Sequence, residues 1–400
     1  MPPKLPPKSR PVTAKALQAL LTRIGSASTG IKDVLHERFK RDLTHSRLFA
    51  LRPEWQARQK KKHGRQLRIL SIDMGIKNLA YCDVSVDYKD GNAMNPTMDI
   101  MRWDKLNLID ATRDLQRPGP QSKPSEDAEE INEAEDVDPY SLSVLSRTAY
   151  WFIKQQVLAV SPDIILIERQ RWRSAGSAAI LQWTVRVNTL EAMLWAVLET
   201  MRTERLTASP KSKDGHVRTT DFDVYGVDPK RVGQFWLTQH ARARAEDLDQ
   251  AVEALALALE DTPPSTKAAA KKIQRSKAEK KAKIALLRSW LSTEPASTAS
   301  STPDSAPFIS ITIGADAVTA REALRLPVPG QKRKKSSDKD KDMKKLDDIT
   351  DCCLQAAAWI AWESNRLQLY DIWDRQRGKS KTLAELDDAV LREMVSVAGE

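Results

Sequence analysis

Apolar and polar positions change rhythm several times along the chain. Leu17, Leu20, Leu21 and Ile24 recur at helical spacing, Gly25 and Ser26 break the run, Thr29-Gly30 makes a second turn, and Val34, Leu35, Arg38 and Phe39 begin a second helical stripe. After a basic linker over 55–67 the period shortens. Arg68–Asp73 is an apolar run of strand length, Leu79–Cys82 opens a second strand, and Gly75 and Asn78 permit the turn between them. Ile100–Trp103 is a third strand candidate. An amphipathic helix is predicted over 140–160, ended by Pro162, and Ile164–Glu168 is the fully apolar pattern of a buried central strand ending in a carboxylate. Then come a long apolar-rich helix from Ser177 to Met201, a strand Phe222–Val227, and a helix after Pro229 carrying Val232, Phe235 and Trp236. A last strong helix spans Asp347–Trp362, with tail helices after Leu367. Antiparallel strands first and helical crossovers later predict an α/β domain with a mixed sheet.

Two stretches depart from this rhythm. Acidic residues crowd residues 115–139, from Glu126 to Asp138, which predicts a self-repelling, flexible insertion. Residues 262–290 are rich in Lys and Ala, with Lys267, Lys271, Lys272, Arg275, Lys277, Lys280, Lys281, Lys283 and Arg288, and predict a solvated helix. A Ser/Thr/Pro/Ala-rich segment over 291–307 and a basic run from Lys332 to Lys345 follow.

The formal net charge is +10 and the sequence pI about 9.3. Such an excess fits a polyanionic partner, because each Lys or Arg placed on a phosphate releases a condensed counterion. Cys82, Cys352 and Cys353 form no C-x-x-C pair and sit among apolar neighbours, which argues for buried thiols and against a disulfide framework or zinc site. No run reaches the roughly 18 apolar residues of a membrane span. Lys4, Lys8, Arg10, Lys15, Arg23 and Lys32 all precede the first acidic residue, Asp33. That basic start reads equally as an import segment or as a DNA-touching arm.

The chemistry lies in the acids. Asp73 stands inside an apolar strand, where a carboxylate is costly unless paired or metal-bound. Glu168 ends another. Asp347, Asp348 and Asp351 open a helix, and both 347/351 and 348/351 are spacings that share a face. Carboxylates on rigid elements suit Mg2+, which takes oxygen ligands and keeps several waters. Two such ions roughly 3.5–4 Å apart activate a water and stabilise a leaving oxygen in phosphodiester displacement. Singly, each acid has a plainer reading: Asp351 as a first-turn acid on the helix dipole, Glu168 as a partner of Arg169 or Arg171. Together they outweigh it.

Ser71-Ile-Asp-Met-Gly-Ile-Lys-Asn-Leu-Ala-Tyr81, Ile167-Glu-Arg-Gln-Arg-Trp-Arg173 and Lys344-Lys-Leu-Asp-Asp-Ile-Thr-Asp-Cys-Cys-Leu354 resemble the three signature segments of fungal mitochondrial Holliday junction resolvases. These are cruciform-cutting endonucleases related to bacterial RuvC within the RNase H-like superfamily. The helical stripes at 14–45 resemble a SAP motif, a small DNA-binding module.

The resemblance implies an RNase H-like mixed sheet flanked by helices over 66–375, with insertions near 115–139 and 262–345. The SAP-like module would lie before it, a disordered or targeting segment over 1–13, and a tail over 376–400. It implies paired symmetric nicks in four-way DNA junctions by a homodimer in the mitochondrial matrix. Asp73, Glu168, Asp348 and Asp351 would hold Mg2+ (Mn2+ the alternative ion), with Asp347 competing with Asp348. No small-molecule cofactor beyond the metal and no membrane partner is expected. Candidate DNA contacts are Lys77 and Asn78 in the turn after Asp73, Gln170, Arg171 and Arg173 after Glu168, Lys230, Lys344 and Lys345, and Lys32 in the basic arm. Arg suits bidentate phosphate contact. Trp172 is placed to stack on an unpaired base. The apolar helix Ile180–Met201 reads as core or as a dimer seam.

Two rivals remain. One is another RNase H-like nuclease, acting on RNA–DNA hybrids or flaps. The other is an actin-like-fold ATPase, whose first phosphate loop also reads Asp-x-Gly-x-x-Asn, as residues 73–78 do. The latter needs a second Asp-x-Gly loop, which this chain lacks. A non-catalytic DNA-binding protein with the same fold is disfavoured by the complete acid set.

Overall fold

Strand β1 (Leu67–Asp73) pairs antiparallel with β2 (Leu79–Tyr88), and β2 pairs antiparallel with β3 (Pro96–Leu106). On its other side β1 runs parallel to β4 (Ile164–Glu168), which runs parallel to β5 (Asp223–Val227). Strand β6 (Ser310–Asp316) adds in parallel to β3, giving the order β5-β4-β1-β2-β3-β6. This is a mixed six-stranded sheet. The structure, a computed structural model, describes residues 11–45, 66–88, 96–113, 138–170, 182–208, 222–243, 266–292, 309–325, 346–376 and 385–397.

Ten helices surround the sheet among the described residues: α1 (Ala14–Arg23), α2 (Lys32–Leu43), α3 (Leu108–Arg113), α4 (Leu142–Trp151), α5 (Gln182–Ala208), α6 (Pro229–Ala243), α7 (Thr266–Ser292), α8 (Val318–Leu324), α9 (Leu346–Gln376) and α10 (Asp388–Val397). Helix α4 runs into a π turn, Phe152–Val157, and a 3-10 turn before β4. The expected strands and central helices are present, with β2 and β3 longer than their apolar centres. The expected break near Leu367 is absent, because α9 continues to Gln376.

Strand parity divides the core. Leu67 and Ile69 of β1, Ala80, Cys82, Val84 and Val86 of β2, and Ile164 and Leu166 of β4 face α9, α6 and the end of α7. Leu70, Ile72, Tyr81, Ile165 and Ile167 face α4 and α5. Helix α9 is buried without interruption from Cys352 to Asn365, as befits a helix apolar on every side. Three side chains pin it. Trp103 of β3 donates to the Ile349 carbonyl at 2.8 Å, Trp236 of α6 to the Leu354 carbonyl at 3.0 Å, and Gln355 reaches β1.

Several expectations need correction or qualification. The helix over 262–290 is not wholly solvated: Lys283, Leu286 and Leu287 of α7 are buried, because an apolar stripe from Ile284 to Leu291 packs onto α9 and α6. The stretch expected as an insertion over 262–345 also supplies β6 and α8. Helix α5 buries Val187, Leu190, Leu194 and Leu198 as core, while Trp183 and Val185 stay exposed. The N-terminal hairpin α1–α2 shares one apolar cluster with α10 and the Leu369–Trp373 end of α9. The acidic stretch expected at 115–139 lies almost entirely outside the described residues, as do 1–10, most of 291–307 and the Lys332–Lys345 run. Among the described residues no helix is long and apolar enough to cross a membrane.

Candidate active site

Asp73 and Glu168 are placed by the sheet. In β1, Leu67, Ile69, Ser71 and Asp73 alternate onto the α9 side; in β4, Ile164, Leu166 and Glu168 do the same. The parallel register pairs Ile69 with Ile164 and Ile72 with Ile167, so the next step sets Asp73 beside Glu168 at the C-terminal ends of adjacent strands. The first turns of α9 cross this edge and bring Asp348 and Asp351 within electrostatic reach of Asp73.

The consequence is crowding of like charge. Burial pushes the Asp73 carboxyl well above the usual range; the Glu168 and Asp351 charges, a hydrogen bond with Glu168, and the Asp348 charge push the same way. The Asp351 carboxyl is also raised, by burial first, with Lys283 and Lys280 opposing. Asp83, fully buried on the opposite face of the sheet, makes the contrast: Arg68 grips it with two bonds at 2.9 and 2.7 Å, and Arg102 adds a third at 3.2 Å. Asp83 is a paired structural charge. Asp73 has carboxylates for neighbours.

Two lysines moderate the cluster, and neither is singled out by sequence reasoning. Lys283 Nζ of α7 lies 3.1 Å from Asp351 Oδ1, and Lys280, three positions earlier, bonds Asp347 Oδ2. Burial works against the Lys283 ammonium, yet Asp351, Glu279 and Glu168 hold its pKa above the usual lysine value. The available signal was the apolar stripe that follows Lys283 immediately, which marks this end of α7 as packed. Asp347 and Asp348 also part company: Asp347 bonds Lys280, while Asp348 lies within electrostatic reach of Asp73.

The remaining candidates are distributed unevenly. Lys77 is exposed and Asn78 half-buried in the β1–β2 turn beside the site. Gln170 sits just past Glu168, its backbone N–H donating to Glu191 Oε2 of α5 at 3.0 Å. Lys230 is exposed at the start of α6, which leaves β5 at the same sheet edge. Lys32 is not brought to the cluster. It is exposed on the hairpin, which docks on α9 from Trp362 onward, about 16 Å along the helix from Asp351 at 1.5 Å per residue. Arg171, Trp172, Arg173, Lys344 and Lys345 lie outside the described residues.

Among the described residues no three His, Cys, Asp or Glu side chains already stand in metal-ligating geometry. The chemistry of the donors nonetheless fits a hard divalent cation: all are carboxylate oxygens on rigid elements, and like charges surround Asp73. A cation binding between them would relieve that repulsion.

Known proteins are similar to this chain. The family described as mitochondrial resolvase Ydc2 / RNA splicing MRS1 matches residues 69–369. The mitochondrial cruciform cutting endonuclease 1 of Schizosaccharomyces pombe is 35% identical over 130 residues, 32% of this chain and 41% of that protein, so this match spans less than half of the relative's length. Its namesake in Saccharomyces cerevisiae is 25% identical over 336 residues, 82% of this chain and 76% of that protein. The crystal structure of the yeast mitochondrial Holliday junction resolvase Ydc2 aligns at 19% identity and a TM-score of 0.45, covering 91% of this chain and 98% of that one. Thermus thermophilus RuvC aligns at 14% identity and a TM-score of 0.23, covering 50% and 86%. The family match runs from β1 into the far end of α9 and so takes in every element that carries a carboxylate of the cluster: the chain belongs to the mitochondrial resolvase Ydc2 / RNA splicing MRS1 family.

Proposed function

We propose that the chain is a Mg2+-dependent endonuclease that resolves four-way DNA junctions by paired symmetric nicks, acting as a homodimer in mitochondria. The observation that carries this reading is the meeting of carboxylates from two strands and one helix, with Glu168, Asp351 and Asp348 all within electrostatic reach of the buried Asp73. The names of the relatives, resolvase and cruciform cutting endonuclease, point to the same substrate. The family description also spans RNA splicing, so membership alone does not decide between cutting and binding. The complete acid set favours cutting.

In this reading Asp73, Glu168, Asp348 and Asp351 hold the divalent ions, and Asp347 serves Lys280 instead. Bound there, the ions supply an activated water and neutralise the leaving oxygen. Lys77 and Asn78 hold a backbone phosphate on one side of the cluster, Gln170 and Lys230 on the other. Arg171, Arg173, Lys344 and Lys345 extend that basic rim. Lys32 and the α1–α2 hairpin, the SAP-like module of this proposal, engage a duplex arm away from the scissile bond. The dimer uses the exposed Trp183 and Val185 at the start of α5. Residues 1–13 serve import, and the RNase H-like unit over 66–375 does the cutting.

The test is cleavage with Mg2+ of end-labelled four-way junction, linear duplex and RNA–DNA hybrid. Symmetric nicks confined to the junction are expected. Cutting of the hybrid alone would select the other RNase H-like activity, and binding of structured RNA without any cleavage would select the splicing side of the family.

A further inference from the structure

The carboxylate cluster already contains a cation of its own. Lys283 belongs to α7, 68 positions before Asp351, and its side chain is only 8% exposed. Burying an ammonium costs several kcal/mol unless opposite charge and good geometry repay it. Here the geometry is built on three sides. Asp351 Oδ1 lies 3.1 Å from Nζ, and Glu279 Oε1, one turn earlier on α7, lies 3.4 Å away. On the third side α6 presses close: a Cβ on Gly233 would sit 3.4 Å from Lys283 Cε and 2.7 Å from Glu279 Oε1. The lysine is therefore walled into one position, with its charge against one edge of the cluster.

This placement makes the cluster unsymmetrical. An Asp351 oxygen engaged by an ammonium at 3.1 Å is available to a divalent ion only if that bond lengthens, and the lysine charge repels any ion that approaches from this side. Asp73 and Glu168 hydrogen-bond to each other, and the charges that dominate around Asp73 are those of other carboxylates. Resting on the metal-dependent reading above, we infer that Lys283 competes with a divalent ion for Asp351, dividing the cluster into a tighter cation site at Asp73–Glu168 and a weaker one at Asp351. Lys283 also keeps Asp351 in place while the weaker site is empty.

The test is calorimetric titration of Mn2+ into the full chain without DNA, a readout separate from activity. The wild type shows a tight site and one at least about ten-fold weaker. In Lys283→Met the weaker site tightens by about ten-fold or more, Lys283→Arg keeps the separation, and Lys281→Met, a change on the exposed side of the same helix, leaves the isotherm as it was. If Lys283→Met fails to fold, Lys283→Gln, uncharged but still polar, is read in the same way. Unchanged affinity of the weaker site in the uncharged variants, with Asp73→Asn still abolishing the tight site, overturns this inference and leaves the nuclease reading intact. A tight site that survives Asp73→Asn overturns both.

Discussion

The buried Gln355 side chain donates from Nε2 to Ser71 Oγ at 3.0 Å and to the Ile72 carbonyl at 3.2 Å. Gln355 is one helical turn beyond Asp351, and Ser71 and Ile72 immediately precede Asp73. The amide thus locks α9 against β1 at the point that sets two carboxylates opposite each other. Gln355→Leu leaves two buried acceptors without this donor and is expected to cost about 1–3 kcal/mol. Cleavage should fall as Asp351 shifts. Urea denaturation checks the first effect; an unchanged midpoint would show that the bond does not fix the helix.

Asp73→Asn and Asp351→Asn are each expected to lower junction cleavage at least about a hundred-fold while binding persists. Stability should move the other way. Burial first, and then the neighbouring carboxylates, raise the Asp73 carboxyl, so Asp73→Asn removes a desolvated, repelled acid and is expected to stabilise the ion-free chain by about 0.5–2 kcal/mol. Thermal melting in EDTA measures this, and destabilisation would mean that Asp73 is a structural acid after all.

Asp347→Asn and Asp348→Asn separate the two neighbours. Asp347 is bonded to Lys280, whereas Asp348 acts on Asp73. The larger loss of cleavage is expected for Asp348→Asn, and equal losses would contradict that division.

Gly25 joins α1 to α9 and α6. Its φ of +68° favours glycine, and a Cβ there would meet the Trp362 ring at 2.2 Å. Around it Arg231 Nη1 bonds the Gly25 carbonyl at 3.2 Å and Asn365 Nδ2 the Arg23 carbonyl at 2.9 Å. Gly25→Ala is expected to cost about 2 kcal/mol or more, from strain and overpacking together. If chemical denaturation shows no loss, the hairpin is docked less tightly than these contacts require.

Tyr81 provides a test against pH. Burial, followed by the Asp104 charge, pushes its hydroxyl up to about 12. The unfolded chain then releases this proton near the ordinary value of about 10, so the folded state holds more protons between the two. The contribution is fully present below pH 10 and is lost as pH rises toward about 12, amounting to about 2–3 kcal/mol. Tyr81→Phe should flatten that part of the stability curve; an identical slope in both proteins would refute the shift.

The local pattern determined a good deal by itself. Apolar runs ending in a carboxylate placed Asp73 and Glu168 at strand ends, because period-two alternation and the cost of a lone buried charge are both written in neighbouring residues. Three spaced motifs were enough to expect the RNase H-like sheet and the resolvase resemblance. What the tertiary structure decided depends on partners far apart in the chain. Adjacent helix positions differ by about 100°, so which of Asp347 and Asp348 meets Lys280 follows from how Trp103, Trp236 and Gln355 hold α9. Strand β6 has only the short Ile311–Ile313 alternation to mark it, and its partner β3 lies more than two hundred residues earlier. Lys280 and Lys283 look solvated in a run of lysines, since the acids that hold them come 67 and 68 residues later. Charge alone marked them as surface; packing of α7 against α9 made them part of the site.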